Sequence, residues 1–431
     1  MARVLADITP LRRHRNFRRL WLGQMVSGIG SQLTIVGVAY QTYRVTNSTL
    51  MVGLVSLVQL APLLLGSMAG GAVADAKDRR RVLLATQVML GLTSVGLALN
   101  ASLAHPLLWP IFLCTAASAC FQGFDWPARN AALPMLVPMD EVPAALALQS
   151  ILWQTSAVVG PALAGLLISQ FGINVVFMID VATFGVALLA VASLPALLPA
   201  GPKNPVSLGA IAEGFRHLRK DKLLLSTFWV DLNAMIFGMP RAVFPAIGTG
   251  LYGGGAGTVG LLYAAPGVGA FAASLVSGWI GRVRRQGRAL VLAMVVWGAS
   301  IAVFGVVPIL WVGLAMLAIA GASDMVGTVF RNAILQASVP DNLRGRMSGT
   351  FFAVASAGPR LGDAEAGAAA AIGGAQFAVW SGGLASLVGL AVIVWRTPQL
   401  WTARIDELAP EETITQAIAI ATTELSEAEP A

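Results

Sequence analysis

The sequence predicts an all-α membrane protein, with about twelve transmembrane helices arranged as two pseudo-symmetric six-helix bundles. Three observations lead to this: a composition too apolar for water, apolar stretches of spanning length along the whole chain, and an internal repeat.

Apolar residues make up 56% of the chain and charged residues 11%, where a soluble domain carries roughly a quarter charged. Glycine, with 46 residues, suits helices that approach closely in a bilayer. Stretches of about 20 apolar residues, each enough to cross ~30 Å of hydrocarbon, lie near 17–42, 50–74, 82–104, 107–130, 145–172 and 173–197. A second set lies near 223–248, 258–281, 289–307, 309–330, 347–370 and 374–396. The expected division is a basic tail 1–16, a bundle 17–197, a loop 198–222, a bundle 223–396 and an acidic tail 397–431. The loop opens with Pro195, Pro199, Pro202 and Pro205, and Ile211 to Leu225 then suits a helix lying on the membrane surface.

The net charge of +7 is explained by topology. With both termini cytoplasmic, all basic residues except Arg44, Arg241 and Arg360 fall on the cytoplasmic side, as the positive-inside rule requires. No nucleic-acid partner is implied. Cys114 and Cys120 share one span and suggest neither a disulfide nor a metal site. The three histidines, His14, His105 and His217, sit at loops or span ends, and no G-x-x-x-x-G-K-[ST] loop is present. An enzyme or an ATP-driven pump is therefore not expected. The first apolar segment is too long for a cleavable signal peptide.

The halves echo each other. Val52-Gly53-Leu54 through Gly71 aligns with Val259-Gly260-Leu261 through Gly278, and Arg81 and Gly91 then meet Arg288 and Gly298. Further on, Arg129-Asn130-Ala131-Ala132-Leu133 with Val137-Pro138 matches Arg331-Asn332-Ala333-Ile334-Leu335 with Val339-Pro340. Chance likeness among apolar segments does not readily produce the polar second match. Two parallel halves would rock to expose a central cavity alternately.

These residues carry a resemblance to the major facilitator superfamily. Gly71-Ala72-Val73-Ala74-Asp75-Ala76-Lys77-Asp78-Arg79-Arg80 resembles its loop 2–3 signature G-x-L-a-D-r-x-G-r-k, with Ala76 and Asp78 departing from it. The resemblance implies that Gly71, Asp75, Arg79 and Arg80, with Asp125 and Arg129 of span 4, latch one conformation at the cytoplasmic face. Asp125 and Arg129 are also placed for an i,i+4 pair. Val259 to Pro266, Arg346-Met347-Ser348-Gly349 and Gly362 to Gly367 resemble the enterobactin-exporter and drug-efflux branch. Gly160-Pro161-Ala162-Leu163-Ala164-Gly165 is similar to the G-P-x-x-G-G element of antiporters, and Pro161 would kink span 5. The resemblance implies a monomeric plasma-membrane exporter from a bacterium, moving a siderophore or amphipathic drug in exchange for protons, with no cofactor. Uptake or general multidrug transport on the same fold is the alternative, and a membrane enzyme or assembly factor is the alternative of another class.

Charges inside the bilayer cost at least about 2.5–3.5 kcal/mol at its centre on insertion scales, which singles them out as functional. Span 11 holds Arg360, Asp363 and Glu365. Arg360 and Asp363 are placed to pair at i,i+3, and a desolvated acid can carry protons, so Asp363 and Glu365 are the expected coupling groups. Asp180 in span 6 and Asp231 in span 7 are further candidates. Gln32, Gln59, Gln154 and Asn233 are candidate cavity residues, although glutamine serves as often between helices. Helical phase is not legible, because lipid and core faces are both apolar.

Overall fold

The structure, a computed structural model, describes residues 7–199, 216, 218, 221–338 and 344–404. The readings made at Pro202, Pro205, His217, most of the surface helix and the acidic tail beyond Arg404 lie outside them. Among the described residues twelve long helices follow in order. The first six are α1 Arg15–Thr46, α2 Thr49–Ala76, α3 Arg79–Ala101, α4 Leu108–Ala132, α5 Val142–Phe171 and α6 Ile173–Ala192. The rest are α7 Lys222–Phe237, α8 Ala256–Leu275, α9 Gln286–Val306, α10 Leu310–Ser338, α11 Arg344–Gly373 and α12 Ala375–Arg396.

Ten spans are long and apolar enough to cross a membrane by themselves. The two that are not, α4 and α11, are 25 and 30 residues long, so length is sufficient for both. Their polarity comes from Asp125 and Arg129 in one and Arg360, Asp363 and Glu365 in the other. Such helices cross lipid only where their polar groups turn toward protein or a water-filled cavity.

Packing follows the repeat. In the first half α1 lies on α5 and α6, α2 on α4, and α3 on α4 and α6; the second half repeats these pairs as α7 on α11 and α12, α8 on α10, and α9 on α10 and α12. The hairpins α5–α6 and α11–α12 turn at Gly172 and Gly374, with φ of 83° and 87°. Side-chain-bearing residues rarely adopt that conformation, so each turn needs glycine.

Two corrections to the expected spans follow. The seventh is not continuous: α7 stops at Gly238, and a short 3-10 turn Arg241–Val243 and a π-helical turn Ile247–Leu251 complete the crossing. Pro240 and Pro245 lack the donors an unbroken helix needs. The tenth runs past residue 330 to Ser338 and so encloses Arg331.

Asp78, a departure from the signature, has a local task. It N-caps α3, accepting from Arg80 N at 3.0 Å, and also from Leu197 N beyond α6 at 2.9 Å. Asp78→Ala should cost about 1 kcal/mol, typical of a lost cap, seen as a lower unfolding temperature in detergent with insertion unchanged.

The bundles meet through α2 on α11 and α5 on α8. A Cβ on Gly260 would lie 2.6 Å from the Gly165 Cα and the Pro161 carbonyl, and one on Gly53 would lie 3.0 Å from the Ala364 Cα. Gly53 and Gly260 are the repeat-related residues seen in the sequence. Both contacts sit in the halves of the helices remote from the basic ends, where backbone meets backbone across the bundles.

Candidate functional site

Beneath this seam lies a pocket of about 210 Å³ walled by both bundles. The first bundle contributes Thr34, Ser56, Gln59, Ser94, Gln122 and Asp180, and the second Arg241, Tyr263, Arg360 and Asp363. Larger apolar grooves of about 540 and 850 Å³ lie elsewhere, between α7 and α12 and beside α2, α3 and α4. Neither draws on both bundles, so the smaller pocket is the candidate transport site.

The broken seventh span builds one wall. Unwinding after Gly238 frees backbone groups, and the Ala242 N–H donates to Asp363 Oδ1 at 3.1 Å. The other Asp363 oxygen accepts from Ser56 Oγ, across the bundle interface, at 2.5 Å. The i,i+3 pair expected of Arg360 and Asp363 does not close. Arg360 Nη1 donates instead to the Ser356 carbonyl one turn back, at 2.7 Å. Arg241, exposed in the pocket, lies within electrostatic reach of Asp363 and of Asp324 on α10, and Tyr263 Oη donates to its carbonyl at 2.9 Å. Glu365 is half-buried and outside the pocket wall.

Asp180 is 1% exposed and held by hydroxyls. Its Oδ2 accepts from Thr34 and Ser94, each at 2.7 Å, and Thr183 Oγ1 lies 3.3 Å from Oδ1.

The other predicted residues separate from this pocket. Asp125 and Arg129 form the expected i,i+4 pair, at 2.6 Å, and Thr86 and Gln87 satisfy the other Asp125 oxygen. Gln24 of α1 turns its amide oxygen to Arg129 Nε at 3.0 Å. Asp231 pairs with Arg331 of α10. Arg79 donates to the Ala74 and Ala131 carbonyls at 3.3 and 3.1 Å, and Arg80 to that of Ala192 at 2.6 Å. Asp75 makes no hydrogen bond or ion pair among the described residues. A Cβ on Gly71 would meet nothing within 4 Å.

Of the four neutral candidates, Gln59 alone lines the pocket. Gln32 packs on Gly160 where α5 meets α1, and Pro161 follows where α5 meets α8. Asn233 donates to the Ser386 carbonyl at 2.8 Å, which ties α7 to α12. Gln154 is half-buried on α5 and outside the pocket. Buried amides between helices serve as interhelical hydrogen bonds.

Sequence reasoning missed Asp324, which stands in plain view as an acid inside span 10. It also missed the hydroxyls around Asp180, which have no signal until helical phase is known.

A family model described as transmembrane secretion effector matches residues 5–421. The enterobactin exporter EntS of Citrobacter koseri is 29% identical over 363 residues, covering 84% of this chain and 87% of that one. The enterobactin exporter EntS of Escherichia coli has the same identity and coverage. Among solved structures, the nucleoside transporter NupG is similar with a TM-score of 0.74 at 12% identity, over 89% of this chain and all of that one. A bacterial homologue of the human lysosomal transporter Spinster gives 0.67 at 15% identity, over 90% and 95%. These structural likenesses bear on the fold alone.

Proposed function

The chain belongs to the transmembrane secretion effector family, and on that premise we propose that it exports a siderophore or similar amphipathic molecule in exchange for protons. The observation that supports this reading is the pocket shared by both bundles, with arginines on one wall and hydroxyls on the other. Arg241 and Arg360 suit oxyanions of a substrate, and the apolar faces of Ile35, Val38 and Phe184 suit its rings. Transport proceeds by alternating access. The glycine seam closes the outer side while the pocket loads from the cytoplasm. Opening the seam releases cargo outward. The protein works as a monomer in the plasma membrane, with both termini cytoplasmic and the proton gradient as its energy source. Asp75, which has no hydrogen bond or ion pair among the described residues, re-pairs when the cytoplasmic side closes.

The test compares enterobactin efflux from proteoliposomes under a pH gradient with efflux without one. Arg241→Gln should weaken transport about tenfold or more, the effect of losing one charge-assisted hydrogen bond of about 1.5–3 kcal/mol. Efflux indifferent to both the gradient and this change would remove the reading.

A further inference from the structure

We infer that Asp180, rather than Asp363 or Glu365, is the carboxyl that binds and releases the transported proton. This rests on the export reading above and assigns its coupling group.

A coupling acid must be tolerated in two protonation states, so the groups around it decide which acid qualifies. A hydroxyl can donate to a carboxylate and accept from a carboxylic acid; an N–H or a guanidinium can only donate. Asp363 accepts from the Ser56 hydroxyl and from the Ala242 N–H, but Arg241 and Arg360 stand nearby. Asp125 faces Arg129, and Asp231 faces Arg331. Each of these acids has a guanidinium beside it, which favours the anion whatever hydroxyls also reach it. Asp324 also lies near Arg241, and Glu365 stands outside the pocket wall.

Around Asp180 the hydrogen bonds come from hydroxyls. Oδ2 accepts from Thr34 and Ser94. Thr183 Oγ1 donates to the Asp180 carbonyl at 2.8 Å and lies 3.3 Å from Oδ1, within donating distance of it as well. A proton placed on Oδ1 has the Thr183 hydroxyl within reach, which can turn about its C–O bond to accept, and Oδ2 keeps both its donors. Both states are satisfied with little rearrangement.

Charge around the site is sparse. On α1 the ionisable groups are Arg15, Arg18 and Arg19 at one end and Tyr40, Tyr43 and Arg44 at the other; on α3 they are Arg79, Arg80 and Arg81 at its start; α5 has none, and α6 no other. Across the pocket stand Arg241, Tyr263, Arg360 and Asp363. Asp180 thus contacts the space that substrate would fill, with no cation bonded to it among the described residues. It takes one proton from water on the outer side, forming an O–H bond, and returns that proton to water on the inner side as cargo enters.

Infrared difference spectra between acidic and alkaline buffer, on the full-length protein in detergent, test the assignment without transport. The wild type should show a protonated-carboxyl band that disappears on raising pH. Asp180→Asn should remove that band and Asp363→Asn should keep it. Thr34→Val, nearly isosteric, should keep the band at a shifted frequency, since one hydrogen bond to the carboxyl is gone. In proteoliposomes, pH-driven enterobactin efflux should fall at least about tenfold in Asp180→Asn. A band that survives Asp180→Asn, ignores Thr34→Val, or answers to sodium rather than pH overturns the inference. Wild-type vesicles that never move enterobactin would count against the export reading, while the infrared result still decides this one.

Discussion

Gly260→Val is expected to abolish gradient-driven efflux while leaving membrane insertion intact. The added Cβ would stand 2.6 Å from the Gly165 Cα and the Pro161 carbonyl and 2.8 Å from the Gly165 nitrogen. All three are backbone atoms, so no side-chain rotation relieves the clash. Overpacking of this kind costs about 1–3 kcal/mol, which lowers the population of the closed seam about fivefold to over a hundredfold. Because the clash exists only when the bundles meet there, the protein is driven toward the state with the seam open. Gly53→Val should act the same way, against the Ala364 Cα at 3.0 Å and the Asp363 carbonyl carbon at 3.1 Å. Gly185→Ala is the control, since a Cβ there meets nothing within 4 Å. A cysteine introduced by Thr49→Cys, with Cys114 and Cys120 replaced by alanine, reports the state by labelling from outside. Faster labelling and lost efflux in Gly260→Val are expected. Unchanged labelling with full efflux would show that these glycines do not set the closed state.

The seam also shows what the sequence could and could not disclose. Val52-Gly53-Leu54 and Val259-Gly260-Leu261 were legible as a repeat because both copies face the same constraint: backbone against backbone, where only glycine fits. Gly172 and Gly374 are bound by their positive φ in the same way. Steric constraints repeat as residue identities, so they survive in the sequence. The pocket was legible only in part. Asp180, Asp363 and Arg360 announced themselves as charges in lipid. Their partners did not, because a Thr34–Asp180 contact joins α1 to α6, and in lipid-facing bundles neither helix shows which face looks inward. Asn233 and Gln32 were ambiguous for the same reason, since an amide that ties two helices looks like one that binds substrate. The break in the seventh span was hidden too. Gly238, Pro240 and Pro245 could each have been absorbed as a kink, and only packing shows that the freed Ala242 N–H turns to Asp363.

Asp231→Gln should be among the most destabilising single changes in the molecule, at about 3–5 kcal/mol, because it removes one partner of a buried ion pair. Asp231 is 4% and Arg331 8% exposed, and they join α7 to α10. The repeat makes the prediction sharper. Arg331 aligns with Arg129, and the offset that aligns Gly53 with Gly260 aligns Gln24 with Asp231. In the first bundle the arginine takes its acid from its own helix, at Asp125, and an amide from α1 at Gln24. In the second bundle the acid comes from α7 instead, and Gly327 stands where Asp125 would. Each arginine keeps a buried acid, supplied from a different helix in each bundle. Transposing it should therefore rescue the loss: Gly327→Asp combined with Asp231→Gln recreates the arrangement of the first bundle. The neighbour that a side chain at 327 meets first is the flexible end of Met294, which can rotate aside. A double-mutant cycle on the unfolding midpoint in detergent measures the coupling. The double variant should recover most of the stability lost in Asp231→Gln, with an interaction energy of at least about 1 kcal/mol. Strict additivity, or an Asp231→Gln protein as stable as the wild type, would mean that the pair does not hold α7 to α10.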